Sequence, residues 1–112
     1  MDYCIYRLKE TEENTIPRFM SSEHLKKHEA WPPRPDNYEP IWEGSHHGPD
    51  HAQILEWVYV KFNVAKPMLF HHYSLSVGDI VVLIDKDKPR AYFCDCFGWT
   101  EIPTFCEEVN AA

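Results

Sequence analysis

Residues 73–105 read YSLSVGDIVVLIDKDKPRAYFCDCFGWTEIPTF, and their reading decides the fold. The run IVVLI at 80–84 is β-branched and continuous, which predicts a central strand covered on both faces. Val77-Gly78-Asp79 turns the chain into it. Asp85-Lys86-Asp87-Lys88-Pro89 forms a charged hairpin loop, and AYFCDCF at 91–97 returns as the partner strand. The period of two places Tyr92, Cys94 and Cys96 on one face and Ala91, Phe93, Asp95 and Phe97 on the other. Gly98 breaks the strand, and residues 99–102 add a short edge strand.

Outward from this hairpin, the pattern needs a cover. Asp50 is a helix N-cap, and over 51–63 the residues Ile54, Leu55, Val58, Tyr59 and Phe62 recur at helical spacing as a core-facing stripe. Trp57 and Val60 fall outside that stripe; they form either a small contact patch or a pair buried under a loop. YCIYRLK at 3–9 alternates as a strand, with Cys4, Tyr6 and Leu8 the better candidates for the inward face. The acidic 10–15 reads as a loop, and 16–20 brings the chain back to the core. Ser21 and Ser22 offer caps to a short helix at about 23–29, anchored by Leu25 and ended by Trp31-Pro32-Pro33-Arg34-Pro35. YEPIWE at 38–43 is a strand that Pro40 pushes to a sheet edge; a turn at 44–49 follows it, and 107–112 frays. The order β-α-β-α-β-β, with a short terminal strand, makes one α+β domain with its core at about 3–105. Its small, mainly antiparallel sheet packs against one main helix.

Size and charge narrow the function. A chain of 112 residues with 44% hydrophobic side chains holds one real core. A net charge of -7 argues against the clustered lysines and arginines of a nucleic-acid binder. The sequence contains neither a membrane-spanning apolar run nor a signal-peptide pattern, so a cytoplasmic location is expected. Cys4, Cys94, Cys96 and Cys106 form no CxxC pair and read as buried thiols rather than disulfides or zinc ligands.

Chemistry-bearing patterns are sparse. His46, His47 and His51 give HHxxxH beside Asp50, with His71 and His72 further on, and these residue types suit a divalent metal. The spacing matches no motif with fixed mechanics, so exposed or capping histidines are the preferred reading, as they are for His24 and His28. Cys94 or Cys96 with a histidine would be a nucleophile pair, but a packed strand hides and deactivates a thiol. There is no phosphate-cradling glycine loop and no GxSxG elbow. No cofactor and no catalytic residue is expected.

YSLSVGDIVVL followed by AYFCDCFGWTEIPTF resembles the YodL-like domain of Gram-positive bacteria and their mobile elements. YCIYRLK, IPRFMSSEHL, NYEPIWEG and ILEWVYVKFN fit the same resemblance, which thus spans roughly 3–105. The resemblance implies a small domain without an established catalytic motif, found alone or within large proteins of conjugative elements and phages. The cysteines around Asp95 and the insertions at 31–35 and 45–51 depart from that pattern.

The expectation is therefore a non-enzymatic module that binds a host or element protein, with Trp57, Val60 and Trp99 as candidate contact residues. Its acidity would suit a basic target surface, as in a DNA-mimicking inhibitor of a host defence nuclease. The alternatives are a regulator of host cell-shape or cytoskeletal proteins, suggested by the resemblance, and a metal-dependent hydrolase using the histidines.

Overall fold

The computed structural model describes residues 1–10, 20–48, 50–70, 72 and 74–106. The expectations for 11–15 and 16–19, for Pro49, His71 and Tyr73, and for the frayed C-terminal 107–112 fall outside these residues. Five strands form one antiparallel sheet: β1 (Asp2–Leu8), β2 (Tyr38–Ser45), β3 (Ile80–Asp85), β4 (Lys88–Cys94) and β5 (Trp99–Glu101). Their spatial order is β2-β1-β3-β4-β5. The helices are α1 (Ser22–Lys27) and α2 (His51–Val64). The fold is α+β with α2 as its main helix, and β2 lies at an edge as Pro40 requires.

The apolar run of β3 is buried from Ile80 to Leu83, while Ile84, expected to be covered with them, is exposed at the hairpin end. Val81 and Leu83 enter the core under α2 with Tyr3, Ile5, Ile54, Leu55, Val58 and Phe62. Ile80 and Val82 enter a second core with Leu25, Tyr38, Ala91, Phe93, Ile102 and Phe105. The second core is closed by α1 and by a helical turn over 103–106. Covering both faces overturns the expected orientation of β1. Tyr3 and Ile5 carry the main core, Cys4 is buried on the opposite side, and Tyr6 and Leu8 are only half-buried.

The hairpin is tighter than its charged sequence suggests. β3 and β4 pair through Asp85↔Lys88, leaving a two-residue loop of Lys86 and Asp87 at φ 51° and 65°. Both residues lie in the left-handed region, as a type I′ turn requires. Pro89 belongs to β4, at a level where β5 does not extend and no ladder donor is missing on that side. β4 stops at Cys94, short of the expected 97, so Cys96 and Phe97 leave the sheet and Cys96 is exposed rather than packed. Tyr59 also departs from the α2 stripe and is exposed, because the buried line runs through Ile54, Val58 and Phe62.

Candidate functional site

Three polar constructions hold this fold, and each uses residues that the sequence marks. The first fills the SLSVGD run. Asp79 Oδ1 accepts from Arg7 Nε at 2.9 Å, and Oδ2 accepts from Arg7 Nη2 at 2.7 Å and from the Ser76 amide at 2.8 Å. Arg7 Nη2 also donates to the Ser74 carbonyl at 3.1 Å. Arg7 and Asp79 are only 6% and 5% exposed, so this bidentate pair ties β1 to the turn before β3 inside the protein.

The second construction is Asp95. It accepts from the Ser22 amide at 3.1 Å, the Cys96 amide at 3.0 Å, Thr100 Oγ1 at 2.8 Å and the Ser22 hydroxyl. Partial burial raises its pKa, but the hydrogen bonds outweigh burial and hold the carboxyl below its usual range. The side chain thus fixes the start of α1 against the β4–β5 turn, where Gly98 sits at φ 73°. The turn holds Phe97 out at 98% exposure. Burial pushes the Cys94 thiol up to about 12 and the Cys4 thiol up to about 11. Both stay protonated and make poor nucleophiles near neutral pH.

The third construction lies in a groove of about 570 Å³ between the first turns of α2 and the β4–β5 edge. Asp50 caps α2 through the Gln53 amide at 2.8 Å, which places His51 at the helix start. His51 Nδ1 lies 2.8 Å from the Tyr92 hydroxyl, and Nε2 lies 3.3 Å from Asp85 Oδ2. Burial raises the Tyr92 pKa against the opposing effect of Arg90, so the phenol keeps its proton. An ionised Asp85 can only accept. His51 Nε2 is therefore assigned as the donor to Asp85, with Nδ1 on the Tyr92 hydroxyl. Both ring nitrogens are in use, which makes His51 a clamp between α2, β3 and β4. Arg90 and Glu101 complete the rim as a two-point pair at 3.0 and 2.7 Å, and Arg90's hydrogen bonds hold the Glu101 carboxyl below its usual range.

The histidines expected to act together are dispersed. His46 stacks on Trp57 with ring centroids 3.6 Å apart and planes at 8°, while His51 serves the clamp and His47 is exposed. Among the described residues no three His, Cys, Asp or Glu side chains are grouped to hold a metal ion. His24 Nδ1 lies 3.1 Å from the Ser21 hydroxyl, and His28 is the C-cap of α1. Trp57 is covered by His46, by the edge contact of Tyr3 at 5.9 Å and by Lys61 Nζ, 4.9 Å from the ring centroid. Trp99 sits in the groove at the far end of the sheet, so the two tryptophans do not share a surface.

Val60 is one of several exposed apolar side chains at and beyond the end of α2. Val60 and Val64 are one turn apart on α2 at 49% and 80% exposure, and Met68 and Leu69 follow at 93% and 75%. The i,i+4 pair outside the buried stripe was the available signal. The two residues beyond the helix carried none. Among the described residues no helix is long and apolar enough to cross a membrane.

No curated protein and no solved structure matches the chain. The family model for the YodL-like domain matches residues 2–105, from the first residue of β1 to the helical turn that closes the second core. The run holding Asp79 and the turn held by Asp95 both lie within that match, and the chain belongs to the YodL-like domain family.

Proposed function

We propose that this domain is a non-enzymatic protein-binding module of a mobile genetic element, acting on a host or element protein. The supporting observation is the exposure of four apolar side chains, Val60 and Val64 on the last turns of α2 and Met68 and Leu69 just beyond it. Large exposed apolar patches on small folded domains mark interaction sites more often than isolated exposed residues do. The hydrolase alternative gains nothing from His51, whose two nitrogens are engaged by Asp85 and Tyr92.

A finer reading makes the domain an acidic inhibitor of a host defence protein, for which the net charge of -7 is the support. Capture from host lysate with the tagged domain, followed by mass spectrometry, tests both levels. Val64→Asp and Met68→Asp should lower recovery of the partner while leaving the urea midpoint unchanged. Full recovery with both variants would remove this surface from the reading. An acidic inhibitor should also release its partner as salt is raised.

A further inference from the structure

The two sheet edges differ in how they meet solvent. β2 carries Pro40, exposed Glu39 and Glu43, and a bulge where the register passes from Ile5↔Trp42 to Tyr6↔Pro40. These features block pairing with another strand. β5 has no proline and no bulge in its register, Tyr92↔Glu101, Phe93↔Thr100 and Cys94↔Trp99. The Ile102 amide donates to Ala91 O at 2.9 Å, and the Asp95 amide donates to Gly98 O at 3.0 Å. Antiparallel alternation then turns the backbone of Thr100 toward β4 and the N–H and C=O of Trp99 and Glu101 outward. Among the described residues no backbone group bonds to them from that side.

The groove lies beside this edge, on the side of the sheet that α2 covers. Trp99, Tyr92 and Leu55 line it, and Glu56 of α2 stands at its rim. Arg90 is already held by Glu101, which leaves the exposed Glu56 carboxylate as the charge on offer. A strand laid against β5 would direct every second side chain into this groove.

We propose that the β5 edge is a strand-addition site for an extended segment of a partner protein. That segment would lay an aliphatic side chain on Trp99 and present a lysine or arginine, two positions along, to Glu56. The inference rests on the protein-binding reading and names one place and one chemistry for it. The net charge of -7 favours a basic partner over a second copy of this chain, which would bring the same charge.

The test uses the full chain and the peptide acetyl-TVTKTVT-amide, whose valines and lysine share one face of a strand. In an amide-resolved NMR titration, the Trp99 and Glu101 amides should shift and exchange more slowly, while the Thr100 amide, already directed to β4, changes little. Glu56→Lys should weaken this peptide by about two- to five-fold, the scale of an exposed ion pair. The same variant should improve binding of acetyl-TVTETVT-amide. Absence of binding at millimolar peptide would overturn the proposal, as would shifts centred on Val60–Leu69 or indifference to the charge swap. The lysate capture reports on the broader reading separately: a partner recovered through Val64 and Met68 leaves protein binding intact even if the β5 edge is inert.

Discussion

Asp79→Ala should be the most damaging single substitution among the polar residues. It leaves the Arg7 guanidinium, 6% exposed, without its carboxylate, and it strips the Ser76 amide of its acceptor. Breaking a buried, hydrogen-bonded ion pair from one side costs about 3–5 kcal/mol. Losing the acceptor for a part-buried amide adds about 1 kcal/mol. At roughly 0.05–0.15 kcal/mol per residue, a domain of this length has about 6–17 kcal/mol in total, so the variant loses a large fraction of its stability. Urea denaturation followed by tryptophan fluorescence should show a lower midpoint with an unchanged slope. The double variant Arg7→Met/Asp79→Leu removes both charges and should be more stable than Asp79→Ala, because breaking a buried pair from one side costs more than replacing it whole. A loss below about 1 kcal/mol for Asp79→Ala, or strict additivity in the double variant, would refute the keystone role.

Four further outcomes rest on particular geometries. Cys96 should react rapidly with a thiol reagent in the native protein, whereas Cys4, Cys94 and Cys106, buried and with raised thiol pKa values, should react only after unfolding; mass spectrometry after timed labelling counts them. Glu29 stands at φ 57° in a Schellman motif, with its amide on Lys26 O at 3.2 Å and the Ala30 amide on Leu25 O at 2.8 Å. Glycine favours that position, so Glu29→Gly should stabilise by up to about 1 kcal/mol, and replacing Lys86-Asp87 by Asn-Gly should act likewise in the type I′ turn; a lower thermal midpoint in either would contradict the turn geometry. Asp95 titrates below its unfolded value of 3.8, so its contribution is complete above that pH and is lost as pH falls through the lower folded value. Asp95→Asn should therefore have a lower urea midpoint at pH 7, and the two curves should converge in acid; parallel curves throughout would show that the carboxylate charge is not what the turn uses.

The exposed apolar side chains were legible only in fragments. Val60 was marked by lying off the buried stripe, whereas the exposure of Met68 and Leu69 is set by the path the chain takes after α2. Trp57 and Trp99 both looked available as aromatic side chains. Their fates were set by His46, which stacks on one, and by the strand order, which carries the other to the opposite edge. The histidine cluster dissolved for a similar reason. Adjacent positions in the sequence became a stacking partner, an exposed side chain and a clamp, because each sits on a differently directed piece of backbone.

What the sequence by itself determined are the properties that arise within a few residues. These are the buried β3 run, the start of α2 at Asp50, its Ile54–Val58–Phe62 line, the edge position of the Pro40 strand and the α+β class. Side-chain periodicity and proline's missing amide act locally, so they can be read locally. Tertiary structure decided where the local signals stop. β4 ends at Cys94 because Asp95 turns its carboxylate to Ser22, 73 residues away in sequence, and pins a turn that strand periodicity would have run through. β1 presents Tyr3 and Ile5 to the main core because α2 lies on that face, while α1 covers the other. Arg7 is inside because Asp79, 72 residues away, meets it there. Burial and long-range hydrogen bonds depend on which segments meet, and no alternation within one strand encodes the far side of that meeting.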